Sequence, residues 1–126
     1  MANQDSNSAV DRFLVEQIDS VPHLEALLLI WNSRPKTWTE QEMASALYVE
    51  PELAKRVLEQ LAQRGLIEHA GDNGGYCCEA NSTRDPLLQK LDEAYRHDLV
   101  RISRLIHSKA SVAVQDFARA FRFKKD

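Results

Sequence analysis

Cysteine, glycine, proline and long apolar runs are all scarce in this sequence of 126 residues. The two cysteines, Cys77 and Cys78, are adjacent. They cannot form a disulfide framework, and a bond between neighbours needs a distorted backbone. Such usage fits a reducing compartment and points to the cytoplasm. Four glycines and four prolines exclude collagen-like and low-complexity chains. The longest apolar stretch, Ala26 to Trp31, is far short of a membrane span, so no membrane association is expected. The leading MANQDSNSAVDRF is polar and acidic, unlike a signal or transit peptide.

Chemical motifs are also missing. No nucleophile elbow, phosphate-binding loop, HExxH or dinucleotide fingerprint occurs, so no enzyme and no cofactor are expected. His23, His69, His97 and His107 stand in no metal-defining spacing, although Glu93 and His97 are one helical turn apart. No metal is expected. No Lys or Arg falls between Glu68 and Glu79.

What remains is a chain of 44% hydrophobic and 28% charged residues, the profile of one soluble globular domain over 1–126. Its net charge of −3 is unevenly spread. Residues 1–19 carry −3, residues 20–80 carry −4 and residues 81–126 carry +4.

Periodicity organises the chain mainly into helices. After a frayed start, Ser8 caps a helix over 8–18 with Val10, Phe13, Leu14 and Ile18 on one face. Asp19-Ser20 starts a second helix, whose Leu24, Leu27, Leu28 and Trp31 place it centrally in the core. Trp38 precedes Thr39-Glu40-Gln41-Glu42, a capping box that opens a short helix lined by Met43, Ala44 and Leu47. Tyr48-Val49-Glu50 turns the chain, Pro51 opens the next helix, and Ala54, Val57, Leu58 and Leu61 form its buried face up to Gly65. Two helices joined by so short a turn signal a helix-turn-helix. Leu66–Ala70 and Tyr76–Ala80 read as a hairpin around Gly71–Gly75. Asp85-Pro86 opens a long helix to about His107, with Leu88, Leu91, Tyr95, Leu99, Ile102 and Ile106 stepping along it. Val114, Phe117, Ala118 and Phe121 mark a last short helix ending in the basic tail 119–125.

This order of elements, with Trp38–Ala44 and Val57–Ile67 as its most specific parts, resembles the winged helix-turn-helix of MarR-like and ArsR-like bacterial transcription regulators. The likeness covers about 20–80. The flanks 13–31 and 101–121 resemble a group of small bacterial winged-helix proteins from which no activity carries over. The implied fold is mainly α with a small β-hairpin, with an N-terminal helix over 8–18 and C-terminal dimerisation helices over 85–121. The resemblance implies that Pro51–Arg64 enters the DNA major groove, that Gly71–Gly75 forms the wing, and that Asp85–His107 pairs two copies.

Residue chemistry adds detail and tension. On the outward face of the second motif helix, Arg56, Gln60 and Gln63 suit base edges, while Lys55 and Arg64 suit phosphates. Yet Glu52–Arg56 and Lys55–Glu59 are acid-then-base pairs four apart, which also make a plain solvated helix face. The acidic wing offers phosphate nothing. Leu88, Leu91, Tyr95, Leu99, Ile102 and Ile106 form a stripe longer than one small domain covers, the expected homodimer interface. The sequence therefore reads as a dimeric regulator of double-stranded DNA. The alternative is a winged-helix protein-interaction module whose acidic face docks on a basic partner.

Overall fold

In the computed structural model, residues 2–71 and 74–108 are described, with side chains from residue 9 onward. Helices α1 (Ala2–Gln17), α2 (Val21–Asn32), α3 (Glu40–Leu47) and α4 (Pro51–Gln63) precede strands β1 (Glu68–Ala70) and β2 (Gly75–Cys77). Helix α5 (Asp85–His97) follows, and the chain is helical again over 99–108, here α6. The expected last helix and basic tail lie outside the described residues.

Helix α1 corrects the expected frayed start. It begins at Ala2, so Ser8 lies inside it rather than capping it. The segment ANQDSNS contains neither Gly nor Pro, and nothing in it stops a helix from extending N-terminally. Ser20 caps α2 as expected: its backbone is extended and its hydroxyl accepts from the His23 amide. Helix α2 is buried on most of its circumference, and Leu24, Ala26, Leu27 and Ile30 are wholly inaccessible. One contiguous core forms around it, with Leu14 and Ile18 on one side and Met43, Leu58 and Leu61 on the other. Each such leucine contributes about 2–5 kcal/mol as judged by truncation to alanine.

The helix-turn-helix is built from local chemistry. The Glu42 amide donates to Thr39 Oγ1 at 3.1 Å and the Thr39 amide donates to Glu42 Oε1 at 3.0 Å, a complete capping box. Helix α3 ends at Tyr48, whose φ of 57° and ψ of 45° are left-handed. An L-residue pays roughly 1–2 kcal/mol for that conformation, which glycine or asparagine usually fills. Helix α4 starts with Pro51 and buries Ala54, Val57, Leu58 and Leu61. Gly65, at φ +74°, stops it, and the Leu66 amide donates back to the Leu61 carbonyl at 3.0 Å.

Leu66 and Ile67 enter the core directly after this stop, so β1 is shorter than expected. The hairpin is antiparallel and pairs Glu68 with Cys77, His69 with Tyr76, and Ala70 with Gly75. Trp38 joins it as a third rung: its amide donates to the Tyr76 carbonyl at 2.7 Å and its carbonyl accepts from the Tyr76 amide at 2.8 Å. The entry to α3 is thereby sewn to the wing. Gly75 permits this approach, because a Cβ there would lie 2.4 Å from Thr37 Cγ2 and 3.2 Å from the Trp38 carbonyl oxygen.

The expected rod from Asp85 to His107 is two helices. Asp98, at φ −145° and ψ 46°, closes α5. The Ile102 amide then donates to the Asp98 carbonyl, starting α6. A straight helix of these 23 residues would run about 35 Å and carry one end away from the core. The break instead lets Leu88, Leu91, Ile102 and Ile106 all sink into their own chain's interior. Arg101 fixes the bend by donating to Asp98 at 2.6 Å and to both carboxylate oxygens of Asp11 on α1 at 2.9 and 3.1 Å. Asp85 is the first residue of α5 rather than its cap, and its carboxylate accepts from the Asn81 amide, Trp31 and Arg34.

Arg84 joins the wing to α5. Its guanidinium donates to both Glu68 oxygens at 2.8 and 3.0 Å, to the Gly65 carbonyl at 3.0 Å and to the Glu79 carbonyl at 2.8 Å. The Arg84 bond, opposed by partial burial and aided by the Glu79 amide, holds the Glu68 carboxyl below its usual range. A carboxyl depressed in the folded state adds stability above its unfolded pKa, and that stability is lost as pH falls through the folded value. Thermal melts should therefore show wild-type stability falling on the acid side of about pH 4.3. Glu68→Gln should start from a lower melting temperature at neutral pH and show a shallower acid loss. Parallel pH profiles for the two proteins would contradict this.

Candidate nucleic-acid interface

Helix α4 presents two different sides. Its outermost line carries Glu52, Lys55, Arg56, Glu59 and Gln63, all exposed. Its flank toward α1 and α2 carries half-buried Gln60 and exposed Arg64, and both hold partners within their own chain. Arg64 donates to Asp19 Oδ2 at 2.9 Å and to the Gln17 carbonyl. Gln60 Oε1 accepts from His23 Nε2 at 2.6 Å, while His23 Nδ1 meets the Ser20 hydroxyl at 2.6 Å. His23 is 7% exposed and, among the described residues, is the buried polar residue of the core. Of the five residues expected to face DNA, Gln60 and Arg64 are thus turned toward the α1–α2 junction, where they fix how α4 sits. Lys55, Arg56 and Gln63 stay on the open face.

The acid-then-base pairs of this face stay open. Among the described residues, neither Glu52–Arg56 nor Lys55–Glu59 closes as an ion pair, although both spacings allow it. Several other cations are matched: Arg34 with Asp85, Lys36 with Glu42, Arg84 with Glu68, Arg96 with Asp92, and Arg101 with Asp11 and Asp98; among the described residues Arg12, Lys90 and Arg104, like Lys55 and Arg56, form no ion pair. Lys55 and Arg56 therefore stand as adjacent, uncommitted positive charges on α4.

The wing contrasts with this face. Glu68 is spent on Arg84, and Tyr76 is buried beneath the strands, with its phenol raised by burial and then by Glu59 and Glu40. Asp72 and Asn73 lie outside the described residues. Cys78 is buried with its thiol donating to the Leu66 carbonyl at 3.5 Å, and burial pushes its pKa up to about 11. Cys77 is half-buried and its pKa is also raised, chiefly by burial and then by Glu79 and Glu68. Neither thiol is an activated nucleophile.

No family model and no curated protein matches the sequence. A solved structure does match in shape: the X-ray crystal structure of a transcriptional regulator (MarR family) from Rhodococcus sp. RHA1 is similar, with a TM-score of 0.50 and 17% identity. The match covers 93% of this chain and 88% of that one. The fold is a winged helix-turn-helix.

Within this winged helix, α3 and α4 are the helix-turn-helix, β1 and β2 the wing, and α1, α5 and α6 the flanking bundle. The expected dimer stripe is divided by the bend. Leu88, Leu91, Ile102 and Ile106 are at most 2% exposed within their own chain, and Tyr95 is half-buried. In the single chain these four side chains pack into the core. Leu99 points outward at 49% exposure, beside Val100 at 63%. Tyr48, assigned from sequence only to a turn, is 94% exposed at the tip of the helix-turn-helix. Sequence signals the turn there, but not its left-handed backbone or what it displays.

The two sides of α4 should separate on mutation. Gln60→Ala leaves a buried imidazole N–H without its acceptor and should cost about 1–3 kcal/mol in denaturant unfolding. Lys55→Ala and Arg56→Ala remove no internal partner and should stay within about 0.5 kcal/mol of wild type. Equal losses at Gln60 and Arg56 would contradict this division.

Proposed function

We propose that this protein is a DNA-binding transcription regulator of the winged-helix type, acting in the cytoplasm as a dimer, with α4 entering the major groove. The observation that carries the reading is the pair of uncommitted cations, Lys55 and Arg56, on the open face of a rigidly seated α4. The fold shared with a transcriptional regulator supports it. Lys55 serves the phosphates, while Arg56 and Gln63 serve base edges, where a fork-shaped guanidinium reads guanine. Gln60 and Arg64 contribute by fixing α4 rather than by touching DNA.

Few positive charges face the groove, and Glu50, Glu52 and Glu59 share the surface. Non-specific affinity is accordingly low, and selection depends on direct readout. One phosphate-bound lysine from each copy of a dimer gives a log–log salt slope of about −2 in a mobility-shift series. Arg56→Ala should cost about 1–3 kcal/mol on the preferred duplex, and Glu52→Gln should strengthen binding to random duplex. Failure of the wild-type protein to select any fragment from its own genome at low salt would overturn the reading and favour docking on a basic protein.

The dimer is assigned to the α5–α6 corner, where Leu99 and Val100 are exposed side by side. Leu99→Asp combined with Val100→Asp should leave a folded monomer by light scattering, whereas Ile102→Asp should unfold the chain. A wild-type monomer at micromolar concentration would refute the assignment.

A further inference from the structure

We propose that the cavity between α2, the end of α3 and α5 is a binding site for a small hydrophobic amine, held by the Glu25 carboxylate. The inference is independent of the regulator reading above. The cavity measures about 310 Å³, a volume found among small-molecule sites. Its walls are apolar: Leu28 and Leu29 come from α2, Leu47 from the last turn of α3 and the Tyr95 ring from α5. Ala46, exposed beside Leu47, is too small to close it.

The polar groups of the cavity decide the chemistry of its ligand. Asp92 is committed on both oxygens: Oδ1 accepts from Asn32 Nδ2 at 3.0 Å, and Oδ2 pairs with Arg96 Nε at 3.1 Å. Asn32 Nδ2 also donates to the Leu28 carbonyl at 2.9 Å. Glu25 and Tyr95 are left over. Glu25 is half-buried and, among the described residues, has neither an ion pair nor a side-chain hydrogen bond. The Tyr95 hydroxyl holds no hydrogen bond among the described residues either, and its pKa is raised by burial and then by the Glu25 charge. The carboxylate and the phenol thus share one electrostatic environment. A carboxylate half-withdrawn from water without a partner costs free energy, which the charge-assisted hydrogen bonds of an ammonium offset. The donors of an ammonium also suit an acceptor set of one carboxylate and one phenol oxygen. An anion fits badly. It would meet Glu25 and Asp92, while Arg96, the lining cation among the described residues apart from none other, is held by Asp92. A free amine fits better than a lysine of a partner protein, because Asn32 and Arg96 at the exposed mouth are polar and give a peptide nothing apolar to lie on.

The test titrates the full chain with phenethylamine, phenethyl alcohol and hydrocinnamate, which share one apolar body and differ in the charge of the head group. Affinity is read by calorimetry, and the site is located by chemical-shift changes of leucine methyl groups. The amine should bind in the roughly millimolar range or tighter. The alcohol should bind about tenfold more weakly, and the carboxylate more weakly again. Shifts should centre on Leu28, Leu29 and Leu47. Glu25→Gln should lose roughly tenfold in affinity for the amine while binding the alcohol as wild type does. Nα-acetyl-lysine methylamide, an ammonium without the aromatic body, should bind about tenfold more weakly than phenethylamine. The head-group comparison uses the wild-type chain, so it decides the matter even where Glu25→Gln proves unstable. Equal binding of amine and alcohol, shifts centred away from these leucines, unchanged amine affinity in folded Glu25→Gln, or no binding of the amine would each overturn the proposal. A lysine derivative that matches the amine would overturn it as well, marking the site as one for a peptide. No duplex is present, so none of these results bears on DNA binding.

Discussion

The Arg84 guanidinium is the constraint on which the relative placement of the other parts depends. It reaches the carboxylate of β1, the carbonyl just past β2 and the carbonyl at the stop of α4, and it stands immediately before α5. One planar fork thereby ties α4, wing and flanking bundle to a single point. Its side chain is 10% exposed, so these are charge-assisted bonds in partly desolvated surroundings. Removing either partner would strand the other's charge, which makes the junction intolerant of change. The Trp38–Tyr76 rung completes the frame from the opposite side by holding the entry to α3 against the wing.

The same economy explains the electrostatics of the molecule. An acidic N-terminal and central region meets cations mostly as internal partners: Asp11, Asp19 and Glu68 take Arg101, Arg64 and Arg84. Counting charge along the chain therefore overstates both the acidity of the wing and the positive charge available on α4. What reaches solvent from α4 is a small patch of Lys55, Arg56 and Gln63 among acids. Under the DNA-binding reading proposed above, such a surface suits selective binding through direct contacts rather than broad attraction to any duplex. The His23–Gln60 bond gives α4 a fixed rotation, so the patch faces one way.

Much of the fold was legible because its signals are local. The Thr39–Glu42 box, the Ser20 cap, Pro51 at a helix start and Gly65 at its stop each act within one or two turns, and all four stand where residue chemistry puts them. The apolar spacing of α2 and α4 identified their buried sides. Local rules also mark where the reading fell short. Nothing within a turn of Asp98 announces a break, since Leu88 to Ile106 keeps helical spacing across it. The bend answers a distant demand, that residues on both sides of it share one core. Likewise Gln60 and Arg64 fall on the polar side of α4 by periodicity, yet their partners, His23 and Asp19, lie about forty residues away.

The sequence by itself therefore determined the order of elements, the helix-turn-helix, the wing and the apolar side of each helix, because capping and periodicity act over a few residues. Tertiary structure alone decided which polar residues remain available. Packing of α1 and α2 against α4 consumes Gln60 and Arg64, burial consumes four of the six stripe residues, and the end of α3 lifts Tyr48 into solvent. These outcomes depend on contacts between segments far apart in the chain, where a side chain's partner is set by the geometry of the whole core.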